Sequence, residues 1–170
     1  TGILSPSERG MKHLYLENHA YFVTTVTRQR EKCFAKNNNC NILIRVLQFY
    51  RDRLNFSVFG YVILPDHFHA VIQVPEGLSI SVIMHGIKRG SAFQINRSLN
   101  REGPLWQAGY YEHVIRDSKD LKARLDYIHK NPLKTGLVKD SESYRYSSYR
   151  NYYLDDDSVF RVDRIMVEAG

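Results

Sequence analysis

The sequence predicts an α+β fold of the ferredoxin-like type, in which two helices pack on one face of an antiparallel sheet. Short runs rich in β-branched and aromatic residues alternate with longer runs whose apolar residues recur at helical spacing. The resulting order is β-α-β-β-α-β, followed by one added helix. A chain of 170 residues, 43% of them hydrophobic, can form one domain with a core but is too short for two, so we expect one domain over 1–170, with a core over about 15–140 and a tyrosine-rich C-terminal extension over 141–170.

The predicted strands are short segments rich in Val, Ile, Thr and aromatic residues. They cover 20–27, 56–64, 67–74 and part of 105–115. Only Pro65 and Asp66 separate the second strand from the third, and such a short break predicts a β-hairpin. A Gly-Pro pair at 103–104 separates the fourth strand from the preceding helix.

The predicted helices are segments in which apolar residues recur every three or four positions. They cover 42–54, 80–99 and 118–131. A polar loop over 37–41 and Ser79 can cap the first two helices. The third must end before Pro132, because the residue that precedes a proline disfavours helical geometry.

The composition limits the kinds of binding partner and the compartment that the protein can have. The chain has 24 Lys and Arg residues against 18 Asp and Glu residues, and its net charge of +6 favours a polyanionic partner. Cys33 and Cys40 match no zinc or redox spacing and build no disulfide framework, so a reducing cytoplasm is expected. The apolar runs are too short to span a membrane, so no membrane partner is expected. The sequence contains no Walker-type phosphate-binding loop, so no nucleotide cofactor is expected.

His67 and His69 lie two positions apart in the third predicted strand. Alternate residues of a strand share a face, so both imidazoles should point the same way and provide two thirds of a metal site. The alternative is that one histidine packs in the core and the other is solvated. The apolar flanks over 61–64 and 70–72 favour the metal site, because buried imidazoles need partners.

The third predicted helix presents Tyr127 and Asn131 together. Leu121, Leu125 and Ile128 form its apolar stripe, and Tyr127 lies to the side of that stripe. Asn131 follows one helical turn later, near the same flank. The alternative is that Tyr127 is a half-buried boundary residue and Asn131 ends the helix.

Three runs of residues resemble one known family. They are GYVILPDHFHAVI over 60–72, LWQAGYYEHVIRD over 105–117 and YIHKNPLKTGLV over 127–138. In this order they resemble the signature of the one-tyrosine HUH transposases, which carry a histidine–hydrophobic–histidine strand. The similarity is closest to the REP-associated tyrosine transposases and extends over about 21–149. It implies the ferredoxin-like fold that the element order also predicts.

The resemblance also implies a chemistry. Tyr127 is the implied nucleophile, which forms a covalent phosphotyrosine with single-stranded DNA. His67, His69 and Asn131 are the implied ligands of Mg²⁺ or Mn²⁺, with asparagine where insertion-sequence relatives often have glutamine. Imidazole ligands by themselves favour Mn²⁺ or a later transition metal over Mg²⁺. The implied substrate is single-stranded DNA with a hairpin, and the relatives leave both a monomer and a homodimer open.

Basic side chains are the predicted DNA contacts. They are Lys88, Arg89, Lys130, Lys134, Arg145 and Arg150. Tyrosines over 144–153 alternate with the last two arginines, and aromatic rings beside cations suit unpaired bases and phosphates. The alternative is that these tyrosines pack the C-terminal extension onto the body of the protein.

Three other functions compete with a transposase. The first is a domesticated protein that binds DNA hairpins without cutting them, although intact His67, His69 and Tyr127 favour catalysis. The second is an RNA-binding ferredoxin-like domain, which the missing Gly-Phe-rich RNP1 strand disfavours. The third is a metal-dependent hydrolase in which Tyr127 takes no part. Tyr110 and Tyr111 are rival nucleophiles.

Overall fold

A computed structural model describes residues 19–165, so both ends of the predicted domain, 1–18 and 166–170, lie outside the described residues. The strands are β1 (Ala20–Val26), β2 (Ser57–Leu64), β3 (His67–Gln73) and β4 (Tyr111–Val114). The helices are α1 (Asn37–Leu54), α2 (Ile80–Leu99), α3 (Ser118–Lys134) and α4 (Tyr149–Tyr153). The strands form an antiparallel sheet in the order β2-β3-β1-β4. The predicted α+β class and element order are confirmed.

The sheet separates two apolar cores, because successive side chains of a strand point to opposite faces. On one face, Val23 packs with Leu47 of α1 and Ile83 of α2. On the other face, Phe22 packs with Leu125 of α3. Helices α1 and α2 therefore cover one face of the sheet, and α3 covers the other. No helix within residues 19–165 has the length and apolar character needed to cross a membrane.

Several predicted boundaries are wrong. Residues 37–41, predicted as a loop, form the first turn of α1. Helix α3 continues past Pro132 to Lys134, because a proline in the last turn removes a single helical hydrogen bond. The fourth strand, predicted within 105–115, is confirmed there and covers four residues, since Gly109, with a φ of 74°, turns the chain just before it.

The C-terminal extension contains α4 and covers the outer edge of β2. The Ile63 amide donates to the Tyr146 carbonyl, and the Ser148 amide donates to the Tyr61 carbonyl, both at 2.9 Å. Farther along the edge, the Asp163 amide donates to the Val58 carbonyl at 2.8 Å. The extension therefore binds β2 much as a neighbouring strand would.

Tyrosine side chains strengthen this attachment. The hydroxyl of Tyr144 donates to the Ile63 carbonyl at 2.5 Å, and that of Tyr152 donates to the Phe59 carbonyl at 2.6 Å. Burial raises the pKa of both phenols, which keeps them protonated and able to donate. These two tyrosines pack the extension onto the body, as the alternative interpretation predicted.

Gly60 lies at an irregularity in the pairing of β2 with β3, where α3 approaches the strand closely. A Cβ atom at this position would overlap Leu125 Cδ2 and stand 3.2 Å from Ser148 Oγ. We expect Gly60→Ala to lower the free energy of unfolding by about 1–3 kcal/mol, because Leu125 is buried and must shift. Urea denaturation measures this loss.

The matched test is a double variant. Shortening Leu125 to valine creates space where the new methyl group would lie, so Gly60→Ala with Leu125→Val should lose less stability than the sum of the single losses. Strict additivity would show that the two residues do not collide.

Candidate active site

His67 and His69 lie on the sheet face that α3 covers. Their ring centroids are 4.8 Å apart. The side chain of His67 is 18% exposed, whereas His69 is only 4% exposed. The predicted shared face is therefore present, with one imidazole at the surface and the other in the core.

Each imidazole has its Nδ1 atom held by a neighbour. His67 Nδ1 donates to Asp66 Oδ1 at 2.6 Å, and His69 Nδ1 is hydrogen-bonded to Thr24 Oγ1 at 2.7 Å. Thr24 lies directly opposite His69 in the β1–β3 pairing. Side chains that bind Nδ1 orient the Nε2 atoms of metal-binding histidines in the same manner.

The electrostatics favour a neutral His69. Burial, with a smaller contribution from the nearby His67, lowers the pKa of His69 to about 3. A neutral imidazole retains the nitrogen lone pair that a cation needs. Although burial works against it, the hydrogen bond from His67 lowers the pKa of Asp66, which stays a carboxylate and fixes the proton on His67 Nδ1.

Tyr127 lies beside this pair. Its ring centroid is 5.4 Å from that of His69 and 5.9 Å from that of Phe22, both in edge-to-face contact. The side chain is 43% exposed, because α3 turns it to the flank of its apolar stripe. The phenol is thus held against the histidines and remains accessible from solvent.

Asn131 lies one turn beyond Tyr127 in α3. The prediction that it lies off the core is wrong, since it is only 6% exposed. Its Oδ1 atom has no hydrogen-bond partner within residues 19–165, and the same holds for Nε2 of His69. A buried polar atom without a hydrogen-bond partner lowers the stability of the fold, and a ligand bound to these two atoms would offset that cost.

These atoms fit a divalent cation. His67, His69 and Asn131 offer two imidazole nitrogens and an amide oxygen, donors that suit Mn²⁺ and related metals. Among residues 19–165, no three His, Cys, Asp or Glu side chains come together as a metal site. The role of Asn131 as third metal ligand stays a prediction.

The two rival tyrosines lie on opposite sides of the sheet. Tyr110 packs against the core beneath α1 and α2, and burial together with its hydrogen bond to Glu112 raises its pKa to about 12. Tyr111 is 55% exposed and lies on the same face as Tyr127, in edge-to-face contact with Phe22. Only Tyr111 is close enough to compete with Tyr127.

The predicted DNA contacts fall into two groups. Lys130, Lys134, Arg145 and Arg89 are exposed. Lys88 instead donates to the carbonyls of Gln107 and Gly109, and burial lowers its pKa. Arg150 binds Asp156 at 2.8 Å. The last two side chains are engaged within the protein.

Three contributors to the site are missing from the predictions. Asp66 directly precedes His67, so its position in the hairpin turn was the available signal. Thr24 and Phe22 come from β1, more than forty residues before the histidines. Only the pairing of β1 with β3 brings them to the site, and no local pattern reveals that pairing.

Comparison with known proteins identifies the family of the chain. The model of the family described as "Transposase IS200 like" matches residues 15–131. The chain belongs to this family. IS200-like transposases are enzymes, so the predicted family and enzyme class are confirmed. The matched segment includes the histidine pair, Tyr127 and Asn131.

Individual relatives of this IS200-like protein are named as REP-associated tyrosine transposases. A Haemophilus influenzae protein named as a candidate REP-associated tyrosine transposase is 33% identical over 139 residues, which are 76% of this chain and 78% of the relative. The REP-associated tyrosine transposase of Escherichia coli is 28% identical over 139 residues, with 81% of each chain covered. A solved REP-associated tyrosine transposase bound to a REP hairpin has the same fold, with a TM-score of 0.68, 23% identity and coverage of 92% of this chain and 90% of that one.

Proposed function

We propose that this transposase cuts and rejoins hairpin-containing single-stranded DNA through a covalent bond to Tyr127. The observation that carries the proposal is the contact between the Tyr127 ring and His69, whose buried Nε2 has no partner within residues 19–165. A nucleophile beside side-chain atoms that can bind a metal ion suits attack on a phosphodiester. The solved relative bound to a REP hairpin supports the substrate class.

The reaction needs no ATP or other energy-supplying cofactor. Oη of Tyr127 attacks the phosphorus and loses its proton, and the bond from phosphorus to the 3′ oxygen breaks. The 3′ oxygen takes up a proton and leaves as a free hydroxyl, while the 5′ phosphate stays on Tyr127. Attack by a 3′ hydroxyl of another end reverses these bonds, so joining needs no ATP.

The residues around Tyr127 have two further roles, positioning the phenol and binding a metal ion. The phenol ring packs against the stacked rings of Phe22 and His69, which limits its motion before attack. His67, His69 and Asn131 would hold Mg²⁺ or Mn²⁺, with Asp66 and Thr24 orienting the imidazoles. A divalent cation in this position supplies Lewis-acid polarisation of the phosphodiester.

The basic side chains that remain exposed are proposed to bind the DNA backbone. Lys130→Ala or Arg145→Ala should each lower the log–log salt slope of binding to single-stranded DNA by roughly 0.7, the value for one lost phosphate contact. Arg150→Ala is the matched control, because its guanidinium is held by Asp156 and its removal should leave the slope unchanged. Fluorescence polarisation over a range of salt concentrations measures the slopes.

Covalent trapping tests the proposal as a whole. Wild-type protein, a divalent cation and labelled hairpins with flanking single strands from the neighbourhood of the gene should give a protein–DNA band that survives denaturing electrophoresis. A domesticated hairpin-binding protein gives a complex that dissociates under these conditions. A hydrolase gives cut DNA without attached protein.

A further inference from the structure

A groove between α1 and α2 opens on the side of the protein away from Tyr127. Its volume is about 600 Å³. Both helices cover the sheet face that carries Val23, whereas the histidines and Tyr127 lie beyond the other face. The groove is therefore a separate surface, and the proposed chemistry does not use it.

Glycines in α2 shape the floor of this groove. A Cβ atom at Gly86 would stand 2.8 Å from the Tyr50 ring, and one at Gly90 would stand 3.1 Å from Val46. Because α2 has no side chains at these two positions, Tyr50 and Val46 of α1 pack directly onto its backbone. The helices meet closely at the floor and leave an open trough above it.

Two phenylalanines line this trough and are exposed to solvent. Phe49 of α1 is 55% exposed and Phe93 of α2 is 61% exposed. Neither ring belongs to either of the two apolar cores. Large aromatic rings left in water on both walls of a groove indicate a ligand with a flat apolar surface.

The charge of the groove is uniformly positive. Arg45 and Arg89 line it, and no carboxylate is among its lining residues within 19–165. The guanidinium of Arg53 lies 5.8 Å from the centre of the Phe49 ring. Over α1 and α2 together there are six basic residues, of which Arg51 and Lys88 are bound elsewhere in the protein, and a single carboxylate, that of Asp52. The groove therefore attracts a polyanion and repels a second copy of itself.

We propose that this groove binds unpaired bases of a DNA single strand. Phe49 and Phe93 stack on the bases, and Arg45 and Arg89 bind the adjoining phosphates. Bases inside a duplex are already stacked on each other, so the exposed rings select single strands. The inference rests on the proposed action on single-stranded DNA and assigns a second contact, remote from the cut, to the strand beside the hairpin.

Polarisation measurements with two DNA probes test the groove. One probe is a blunt hairpin, and the other carries a single-stranded thymidine tail of about ten nucleotides, added at the 5′ end or at the 3′ end. The double variant Phe49→Ala with Phe93→Ala should bind the better tailed probe about 10- to 100-fold more weakly, since each lost stacking contact contributes severalfold. Its affinity for the blunt hairpin should not change.

Val82→Ala is the matched control, because Val82 is also an exposed apolar residue of α2, at 49%, but does not line the groove. Equal affinity of the double variant and the wild type for tailed probes overturns the proposal. So does a wild-type dimer that the double variant breaks in sedimentation, because the groove is then occupied by a second copy. Covalent trapping is scored separately: failure to form an adduct removes the proposed chemistry, while the difference between tailed and blunt probes still decides the groove.

Discussion

Replacing Tyr127 by phenylalanine should reduce formation of the covalent protein–DNA adduct by about three orders of magnitude or more, because the attacking oxygen is removed. DNA binding should persist. The ring keeps its edge-to-face contacts with Phe22 and His69, which do not involve the phenol oxygen. Denaturing electrophoresis of the adduct and polarisation measurements of binding provide the two readouts.

Tyr111→Phe is the matched control for this experiment. Tyr111 lies on the same face and contacts the same Phe22 ring, yet its variant should form the adduct at the wild-type rate. Peptide mapping should locate the DNA on the α3 peptide. An adduct that persists in Tyr127→Phe and disappears in Tyr111→Phe would assign the nucleophile to β4.

Replacing both His67 and His69 by alanine should abolish Mn²⁺ binding in calorimetry and reduce cleavage to background. Two of the three proposed ligands are lost, and a single amide oxygen holds a divalent cation poorly. Thr24→Val keeps both imidazoles but removes the hydroxyl that orients His69, and it should weaken Mn²⁺ binding about 10- to 100-fold.

His113→Ala distinguishes this site from general binding of metal by histidines. His113 is bound to Asp120 at 2.8 Å and is not one of the proposed ligands, so its removal should leave Mn²⁺ affinity unchanged. Equal Mn²⁺ binding by the wild type and the His67, His69 double variant would remove the pair from the metal site. Thermal unfolding of the apo proteins checks that the fold survives each change.

Much of the site could be predicted because it depends on local periodicity. The shared face of His67 and His69 follows from the alternation of side chains along β3, and the exposure of Tyr127 follows from the helical repeat of α3. Both patterns are complete within a few residues. The contact between Tyr127 and His69 depended on the family resemblance, because it joins two distant segments of the chain.

Features that depend on tertiary contacts could not be predicted. Asn131 is buried because the end of α3 packs against the rest of the protein, whereas the helical repeat alone leaves it on an open flank. Lys88 looks like a free cation in the sequence but binds carbonyls at the start of the β4 segment. Pro132 resembles a helix terminator, yet the last turn of α3 accommodates it.

The attachment of the C-terminal extension to β2 also determines how copies of this protein can meet. An open outer strand offers unpaired N–H and C=O groups to any other strand and invites edge-to-edge aggregation. Here the outward-facing groups of Val58, Tyr61 and Ile63 are all bound by the extension, through its backbone or through side chains such as Asp163. The opposite outer strand, β4, has only four residues. A continuous intermolecular sheet therefore cannot form through β2 while the extension stays in place, which protects an apolar sheet from amyloid-like pairing.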